Sequence, residues 1–523
     1  MPASADVVIV GSGAVGSALA ARLSVAGRRV LILEAGPARA NRDLVSSALW
    51  SRRLKWGGAP VLDVGPTPIG HAFNAGYATG GGALHHYAVW PRMHAEDFVM
   101  QTRYGRGLDW PVTYDDLRPY YDVVQSEVGI SGDAALEVWR PPGVAYPLPA
   151  APLFAQGEVI QRGFSKLGRK TSPIPLAITT RAFRGRPACL WDGWCDAGCP
   201  IGALANPLTV HLPQALTAGA KLINRATVVR VASSADGSRV TGVEYVDADN
   251  VRRSVDAGLV ILAAFAIENP RLLLASKSRA HGNGLANASG LVGRYLMAHL
   301  AALLYGLFNA ETMPHMGATG GQLLNQDHYP KLTHAKEQAF GSYQWLIAQA
   351  VKPVDLLGIG NTRPELYGEA LHAFMRRAAQ HFGTMVAIVE DLPVAQNRVE
   401  LAAEHDRHGV PLAQVKHAAD PSTKALWQAA IADGKAIFSA AGAREAWIGP
   451  QACVHIMGGT IMGRDPRHSV TNSYGQTHDI ANLFAAGPGL FPTSSGVNPT
   501  FTAHALARRT ADYIEKRFSE LTS

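Results

Sequence analysis

Hydrophobic residues in this chain occur as short uninterrupted runs and as helical repeats, separated by glycine-rich or polar segments. The run Val7–Val10 precedes a glycine-rich turn, apolar residues at helical spacing follow over 17–23, and a second run covers Val30–Leu33. Another continuous run, at 258–264, leads into a helical pattern near Pro270. Strands and helices that alternate in this way are typical of a parallel sheet. The return of the pattern at 258–264 predicts a domain assembled from distant parts of the chain.

The region from 301 to 449 has a different pattern. The stretches 385–389 and 398–401 predict antiparallel strands. A long amphipathic helix is predicted over 422–440, and another helix, over 503–517, closes the chain. The region is therefore predicted to form a second domain, built on an antiparallel sheet with helices.

These patterns together predict an α/β protein, α+β overall, in which a discontinuous Rossmann-type domain is joined to a substrate-binding domain. The predicted parts are the nucleotide-binding domain at 1–100, 200–300 and 450–523, a connector at 101–199, and the substrate-binding domain at 301–449. The length supports this division, because 523 residues exceed the size at which a single core stops growing.

The glycine-rich turn after the first strand has the spacing Gly11-x-Gly13-x-x-Gly16, and Glu34 ends the second strand. Gly11 permits the tight turn, Gly13 lets a pyrophosphate approach the backbone, and Gly16 lets the helix pack against the strand. The helix N-terminus would face the phosphates, and Glu34 would accept hydrogen bonds from a ribose. The motif indicates a dinucleotide site without specifying the dinucleotide. A glycine-rich turn in an unrelated sheet is the alternative.

Composition and charge exclude several classes of protein. The hydrophobic fraction of 47% and the charged fraction of 17% are those of a globular chain. The net charge of +7 comes without a long run of basic residues, so we expect no nucleic-acid partner. No apolar stretch reaches the length of about eighteen residues that predicts a transmembrane helix. Because the first strand begins within a few residues of Met1, we expect no signal peptide, which by itself favours the cytoplasm.

Three consecutive glycines, Gly80, Gly81 and Gly82, stand shortly before His85. Because glycine has no Cβ atom, such a run can lie flat against a large planar group. We interpret the segment as part of a cofactor site, and a flexible loop is the alternative.

Three of the four cysteines form the pattern C-x5-C-x3-C-P, at Cys189, Cys195 and Cys199. Thiolates crowded into a short loop, with a proline after the last one, are typical of iron–sulfur ligation. Only three thiolates are local, which favours a three-iron cluster. Zinc usually takes cysteine ligands in closer pairs, and it stays an alternative, as do a disulfide and inert thiols. Cys453 could supply a fourth ligand, but we interpret it as a small buried hydrophobic residue.

Two polar residues near the C-terminus suit the oxidation of an alcohol. When a flavin takes a hydride from a carbinol carbon, the hydroxyl proton must leave at nearly the same moment, and histidine is the usual base. A second polar group must hold the hydroxyl oxygen. His455, shortly before a Gly–Gly turn, and Asn498, in a Gly–Val–Asn–Pro turn, fit these two roles. Each alone is weak evidence, because a lone histidine is more often structural and Asn–Pro usually marks a turn.

The chain resembles the glucose–methanol–choline (GMC) oxidoreductase family over nearly its whole length. The resemblance rests on the glycine fingerprint at 11–34, the segments 80–85 and 292–299, and the motifs around His455 and Asn498. With the cysteine pattern added, the chain is similar to the catalytic subunits of bacterial FAD-dependent glucose, fructose, sorbitol and gluconate dehydrogenases.

The resemblance implies FAD as the cofactor, His455 as the base and Asn498 as its partner. It implies a 3Fe-4S cluster on the three clustered cysteines, which would pass electrons from the reduced flavin to a cytochrome c or a quinone. It also implies a small accessory subunit that carries an export signal, so the expected location becomes the periplasm or the periplasmic side of a membrane. Without that subunit the expected location is the cytoplasm. The cofactor-binding residues that the resemblance implies are Gly11, Gly13, Gly16, Glu34, Gly80, Gly81, Gly82, His85, Val229, Gly487 and Asn498.

Three positions depart from the pattern of the similar dehydrogenases. Leu190 replaces a cysteine that often follows the first cluster ligand, the C-terminal segment lacks the usual aspartate around 487–488, and the motif Gly–Gly–Thr–Thr–Trp–His is here Gly–Gly–Gly–Ala–Leu–His at 80–85. The substrate can therefore differ from glucose.

The leading hypothesis is a dehydrogenase for a hydroxyl group of a sugar or polyol. The alternatives are a GMC oxidase that reduces oxygen and a non-catalytic electron-transfer subunit. The three cysteines argue against the oxidase, and the presence of both His455 and Asn498 argues against the electron-transfer subunit.

Overall fold

The computed structural model describes residues 4–523 and has the mixed α/β fold that the sequence patterns predict. Its strands are, in chain order, β1 (Ser4–Val10), β2 (Val30–Leu33), β3 (Leu62–Asp63), β4 (Ser172–Pro173), β5 (Lys221–Ile223), β6 (Thr227–Ser233), β7 (Val240–Val246), β8 (Arg252–Leu262), β9 (Met297–Phe308), β10 (Leu323–Asn325), β11 (Tyr343–Ile347), β12 (Phe382–Val389), β13 (Arg398–His405), β14 (Pro411–Lys416), β15 (Ala443–Ile448), β16 (Ala452–Met457) and β17 (Leu483–Ala485).

The α-helices connect and cover these strands. They are α1 (Ala14–Val25), α2 (Ala48–Arg53), α3 (His71–Asn74), α4 (Met100–Tyr104), α5 (Tyr114–Val128), α6 (Ala155–Lys166), α7 (His211–Thr217), α8 (Phe265–Ala275), α9 (Pro353–Gly360), α10 (Gly368–His381), α11 (Pro421–Ala440), α12 (Thr500–Lys516) and α13 (Phe518–Thr522). The helix predicted over 422–440 is α11. It begins one residue earlier because Pro421 suits the first turn and the Asp420 side chain accepts a hydrogen bond from the backbone N–H of Ser422.

The first sheet has the strand order β5-β2-β1-β8-β7-β6, and β17 also pairs with β8. Strand β1 runs parallel to β2 and β8, with Val7 opposite Val30 on one side and Leu259 on the other. Strands β6 and β7 extend the sheet in antiparallel fashion. The strands come from three separated parts of the chain, which confirms the discontinuous Rossmann-type fold.

Strand β8 differs from its prediction. The strand expected at 258–264 begins earlier than predicted, at Arg252, and ends at Leu262. Its first half pairs with β7, and its second half pairs with β17. A single long strand can do this because one edge of it meets two shorter strands in succession.

The second sheet has the order β15-β9-β12-β11-β10-β4, and β16 pairs with β9 beside β15. All of its pairings are antiparallel. The sheet reaches beyond the 301–449 block, because β4, the first residues of β9 and the whole of β16 belong to it. The second sheet thus does not coincide with the 301–449 block, and the division of the chain into domains stays a prediction. A third, small sheet has the order β13-β14-β3.

Helix α12 joins the C-terminal motifs to the first sheet. It packs against α1 and α5, and Arg22 of α1 forms ion pairs with Asp512 and Glu515 of α12, each with an N–O distance of 3.0 Å. Asn498 stands just before the first turn of this helix, so its position is tied to the core of the nucleotide-binding sheet. Among residues 4–523, no helix is both long and apolar enough to cross a bilayer.

Candidate active site

A cavity of about 970 Å³ is lined by residues from both seven-stranded sheets. Its nucleotide side is formed by the ends of β1 and β2 and the start of α1, and its other side by β9, β11, β12 and β16. Of the residues predicted to form the site, those that line the cavity are Gly11, Gly13, Glu34, Gly81, Gly82, His85, His455, Gly487 and Asn498. The two motifs furthest apart in the sequence therefore share one cavity.

The glycines of the first turn are required by close approaches of the backbone. Gly11 has φ +100°, and a Cβ atom there would lie 2.7 Å from the carbonyl oxygen of Ala263. A Cβ atom on Gly16 would lie 2.2 Å from the carbonyl oxygen of Gly11, so Gly16 supports the turn and does not line the cavity. Gly13 borders open space, which suits a phosphate at the N-terminus of α1.

Glu34 lies beside this turn at the end of β2. Its carboxylate accepts hydrogen bonds from the backbone N–H of Ser12 at 3.0 Å, from the Ser12 hydroxyl at 2.7 Å, and from the N–H of Gly36 at 2.9 Å. Burial raises the pKa of Glu34, and these three donors oppose the rise. The carboxylate is thus held rigidly at the cavity wall, where a ribose hydroxyl can reach it.

The glycine run packs against the first turn. Gly80 and Gly81 have φ values of +94° and +54°, and a Cβ atom on Gly81 would lie 3.3 Å from the Cα atom of Gly13. Gly81 and Gly82 line the cavity. Gly80 does not line the cavity. A Cβ atom on Gly80 would instead point at the side chain of Leu84. Residues Gly81–Leu84 form a short 3-10 helix that begins directly after Gly80.

His85 is buried in the cavity wall. Its Nδ1 atom lies 3.0 Å from the Lys55 ammonium, which can only donate, and its Nε2 atom lies 3.3 Å from the carbonyl oxygen of Ala75. Burial, aided by the charge of Lys55, lowers the pKa of His85 to about 3. Burial also lowers the pKa of Lys55 to about 8. His85 is therefore a neutral donor to Ala75 and is fixed in one tautomer.

The remaining predicted cofactor residues differ in their placement. Gly487 lines the cavity at φ +96°. Val229 is buried and does not line it, although the three preceding residues, 226–228, do. The pairing of β6 with β7 is irregular between Val228 and Arg230, so Val229 is the extra residue of a bulge.

His455 is directed into the cavity by a β-bulge. Strand β16 pairs with β9 so that Val454 faces His299 and Ile456 faces Ala298, which leaves His455 as the extra residue. His455 accordingly has φ +59°, and its backbone N–H donates to Oδ1 of Asn74 at 3.0 Å. This left-handed conformation is costly for a histidine and is held in place by the Asn74 side chain.

The two predicted catalytic residues are in direct contact. Nδ2 of Asn498 lies 3.1 Å from Nε2 of His455. Burial lowers the pKa of His455 well below 6.5, and the neighbouring His299 lowers it further. The imidazole is therefore neutral and has a lone pair available for a proton, which is what a base for alcohol oxidation requires.

Sequence reasoning gave His299 and Gln344 no role, although both adjoin this pair. Nδ1 of His299 lies 3.0 Å from Nδ1 of His455, and Nε2 of Gln344 donates to Oδ1 of Asn498 at 2.9 Å. Both are fully buried within strands that are otherwise apolar. A polar residue inside a buried apolar strand was the available signal.

Polar side chains on the second-sheet side of the cavity were also missed. They come from strand faces and from loops that are distant in sequence, and they are Tyr87, Asp196, Tyr305, Thr319, Gln349, Lys352, Asp355 and Thr384. Nζ of Lys352 donates to the carbonyl oxygen of Gly193 at 3.1 Å and lies 3.0 Å from Asp355 and 3.5 Å from Asp196. This wall offers donors and acceptors suited to hydroxyl groups.

The cysteine loop borders the same cavity through Asp196, and the hydroxyl of Thr319, which also lines the cavity, donates to the carbonyl oxygen of Gly193 in the loop at 2.8 Å. Cys195 and Cys199 are buried and Cys189 is half-buried. Backbone N–H groups of Trp191 and Leu204 donate to the sulfur atoms of Cys189 and Cys199, both at 3.3 Å.

Within residues 4–523, however, no three His, Cys, Asp or Glu side chains stand together as a metal-binding group. Cys453 lies apart from the loop, in the hydrophobic core under the second sheet, where burial raises its pKa to about 12.

Family comparison identifies GMC oxidoreductase segments at both ends of the chain, over residues 5–301 and 393–507. The chain belongs to the GMC oxidoreductase family. It is 31% identical to the 2-methyl-1,2-propanediol dehydrogenase of Mycolicibacterium austroafricanum, over 99% of this chain and 96% of the relative. It is also 31% identical to the fructose dehydrogenase large subunit of Gluconobacter japonicus, over 98% of both chains.

The fold is similar to that of solved oxidoreductase structures. An FAD-dependent oxidoreductase from Chaetomium thermophilum superposes with a TM-score of 0.70 at 15% identity, covering 99% of this chain and 100% of that one. As a GMC protein, the chain is an oxidoreductase that acts on CH–OH donors, and its family supports FAD as the cofactor.

Proposed function

We propose that the protein is an FAD-dependent dehydrogenase that oxidises a hydroxyl group of a sugar or polyol. The observation that carries the proposal is the 3.1 Å contact between Nε2 of His455 and Nδ2 of Asn498, on the wall of the cavity that also contains the glycine fingerprint. A neutral base and an amide donor, placed side by side, suit the two polar atoms of one hydroxyl group.

The residues of the cavity fit FAD. Gly13 borders open space at the start of α1, Glu34 presents a rigid carboxylate, and Gly81 and Gly82 provide a backbone surface without side chains. The cavity volume of about 970 Å³ is at the upper end for small-molecule sites, as expected for a cofactor together with a substrate. When bound, FAD would supply the hydride acceptor.

The chain's own residues would manage the proton and the orientation of the substrate. A hydroxyl group that inserts between His455 and Asn498 replaces their direct contact: it donates its hydrogen to Nε2 and accepts a hydrogen bond from Nδ2. Burial keeps His455 neutral before the proton arrives. Asn498 fixes the oxygen, so only rotation about the C–O bond remains for the carbon to present its hydrogen.

The polar wall supports a polyhydroxylated substrate. Tyr87, Tyr305, Thr384 and Gln349 provide neutral donors and acceptors, and the Lys352 ammonium is already paired with two carboxylates. The named relatives support the class, because one is a diol dehydrogenase and another a fructose dehydrogenase.

The experiment that tests this function is anaerobic reduction of the bound flavin. A panel of ketoses, aldoses, sugar alcohols and short diols is mixed with the FAD-loaded protein, and the flavin absorbance is followed. Bleaching by at least one polyol, with slow reoxidation by air and fast reoxidation by a dye or a cytochrome c, supports the dehydrogenase. Rapid peroxide formation in air would instead identify an oxidase. A flavin that no alcohol bleaches contradicts the proposal.

The electron exit is a separate part of the proposal. The candidate ligands of a 3Fe-4S cluster are Cys189, Cys195 and Cys199. The supporting observations are that the three thiols share one loop, that backbone amides donate to two of their sulfur atoms, and that the loop borders the cavity. Because no arranged metal-binding group is present in residues 4–523, the thiols would have to move together around iron.

Iron and acid-labile sulfide, measured on protein isolated without oxygen, test the cluster. About three irons per chain, with the electron paramagnetic resonance signal of an oxidised three-iron cluster, support it. Protein that is free of iron yet passes electrons to its acceptor contradicts it.

Partners and location complete the proposal. We propose a cytochrome c or a quinone as the acceptor, and a small accessory subunit that carries the chain to the periplasm. The name of the fructose dehydrogenase large subunit supports a complex with more than one type of chain. Co-purification from the native host, followed by cell fractionation, tests both statements, and a monomer confined to the cytoplasm contradicts them.

A further inference from the structure

His455 and Asn498 belong to a longer series of hydrogen bonds, because the side chain on each side of the pair bonds to it. In this series every donor and acceptor is assigned. We propose that His299 and Gln344 are positioning residues that lock His455 in the tautomer with an unprotonated Nε2 atom facing Asn498. The inference rests on the proposed function, in which His455 is the base. It explains why the lone pair that accepts the proton is on Nε2 of His455, the nitrogen directed at the substrate.

The contacts of His299 decide in which direction the hydrogen bonds of this series are donated. Nε2 of His299 lies 2.8 Å from the carbonyl oxygen of Ser495 and 3.2 Å from that of Ser494. A carbonyl oxygen can only accept, so Nε2 of His299 carries a hydrogen. Burial lowers the pKa of His299 to about 4, so the ring is neutral and its Nδ1 atom has the lone pair.

This lone pair decides the state of His455. The two Nδ1 atoms are 3.0 Å apart, so Nδ1 of His455 must donate to Nδ1 of His299. A neutral imidazole has one N–H group, and therefore Nε2 of His455 is unprotonated.

The amide side chains on the other side agree with this direction. Nδ2 of Asn498 donates to the lone pair of His455, which directs Oδ1 of Asn498 to Nε2 of Gln344 at 2.9 Å. Oε1 of Gln344 in turn accepts from Nε2 of Gln326 at 3.0 Å, and Oε1 of Gln326 lies 3.0 Å from Nε2 of His94. Each contact pairs one donor with one acceptor. Reversal of any amide would place two N–H groups or two oxygens against each other.

The positioning residues do not touch the substrate. His299 and Gln344 are 0% exposed, and neither lines the cavity. His299 is on β9 opposite Val454, and Gln344 is on β11 opposite Ile388, so both are fixed by the backbone of the second sheet. Their effect on the reaction must therefore pass through His455 and Asn498.

Charged groups lie behind both ends of this series of hydrogen bonds. His299 is the titratable group that faces His455, and Asp391 and Lys331 influence His299. At the other end Asp97, Lys331 and Glu96 influence His94. After the substrate proton arrives at Nε2, Nδ1 of His455 still donates to His299, so the protonated ring keeps its orientation.

The decisive variant is Gln344→Glu. An ionised carboxylate at this position would accept from Gln326 as before, but it would also require Nδ2 of Asn498 as a donor. Asn498 would then turn its oxygen towards Nε2 of His455 and stabilise an N–H group there. While the buried acid stays protonated, its O–H group donates to Oδ1 of Asn498 as Gln344 does. We therefore expect a nearly wild-type rate of flavin reduction at low pH, a fall of about 100-fold as the carboxyl group ionises at higher pH, and little change in KM. Gln344→Met has neither the donor nor the acceptor of the glutamine amide, so it does not impose either orientation on the Asn498 amide. It should therefore have a smaller effect.

A second pair of variants tests the other end. In His299→Gln the amide can still donate to Ser495 and accept from His455, whereas His299→Leu can do neither. We expect the glutamine variant to keep most of the activity and the leucine variant to lose it. Imidazole nitrogen and carbon shifts of histidine-labelled FAD-bound protein, with His455→Ala used for assignment, report the tautomer directly, and this readout does not depend on activity.

The outcomes separate the two proposals. If His455→Ala abolishes flavin reduction while Gln344→Glu keeps the wild-type rate at a pH where infrared spectroscopy shows its carboxyl group to be ionised, the positioning role is wrong and the base assignment stands. A wild-type NMR signal showing hydrogen on Nε2 of His455 also overturns the positioning role, even if the Gln344 variants fail to fold. If His455→Ala reduces the flavin normally, the proposed base is wrong, and the NMR measurement alone decides the tautomer.

Discussion

The rings of His299 and His455 meet edge to face, at an interplanar angle of 85° and with 3.0 Å between their Nδ1 atoms. The two residues are 156 positions apart in the sequence and are brought together by the pairing of β9 with β16. Because His299 is anchored to a backbone carbonyl, the contact fixes which nitrogen of His455 faces the cavity.

Replacement of His455 by alanine should remove the base and leave the cofactor site intact. We expect flavin reduction by the substrate to slow by at least about 100-fold, with FAD content unchanged, because the glycine fingerprint is untouched. Anaerobic stopped-flow absorbance measures both. His468→Ala, at an exposed histidine, is the matched control and should behave as the wild type. Full-speed bleaching in His455→Ala would contradict the assignment.

The rate of flavin reduction should not depend on pH between about pH 6 and pH 8. Burial lowers the pKa of His455 well below 6.5, so the base is already unprotonated throughout this range. The rate should fall only at more acidic pH, where His455 gains a proton. A profile with its midpoint near 6.5 would show that the imidazole is not shielded from solvent.

Gly16→Ala should damage the nucleotide site. The added methyl group would lie 2.2 Å from the carbonyl oxygen of Gly11, and neither backbone segment can move without disturbing the turn. We expect loss of bound FAD and destabilisation by about 1–3 kcal/mol, as for other overpacked positions. Thermal unfolding and flavin content measure this. Gly282→Ala, where an added methyl group meets nothing within 4 Å, is the control.

Cys195→Ser should spare flavin reduction by the substrate but block electron transfer to a cytochrome c, if the cysteine loop is the exit. Cys453→Ser is the matched control, because both cysteines are 6% exposed and only Cys195 belongs to the loop. Iron content and cytochrome reduction are measured on both variants. Equal cytochrome reduction in the two would exclude the loop from the electron path.

Acid should destabilise the fold through its buried histidines. Burial lowers the pKa of His71, His86 and His299 to about 4 and that of His85 to about 3, from 6.5. The unfolded chain therefore takes up protons first, and stability falls as the pH drops from 6.5 towards these values. Each group contributes a slope of up to roughly 1.4 kcal/mol per pH unit. A melting temperature of the FAD-bound protein that stays constant down to about pH 5 would contradict this.

Much of the fold and part of the site were readable from the sequence because they depend on local patterns. The run Val7–Val10, the glycine spacing and the run Val30–Leu33 predict a strand, a turn, a helix and a strand, and these are β1, α1 and β2. The first residues of β8 were not predicted as part of the buried strand because they are polar. The two halves of β8 also pair with different strands, β7 and β17. Val229 shows that a bulge within a strand cannot be read from apolar composition alone.

The sequence by itself determined the parallel-sheet framework and the dinucleotide turn, because both follow from residue type and short spacing, and its resemblance to the GMC family pointed to His455 and Asn498 as the proposed catalytic pair. Only the tertiary structure decided the protonation state and the tautomer of His455 in that pair. The tautomer of His455 depends on a carbonyl, a histidine and an amide contributed by three separate segments, which come together through long-range strand pairing. Burial among those segments, which no local pattern encodes, is also what keeps the imidazole neutral.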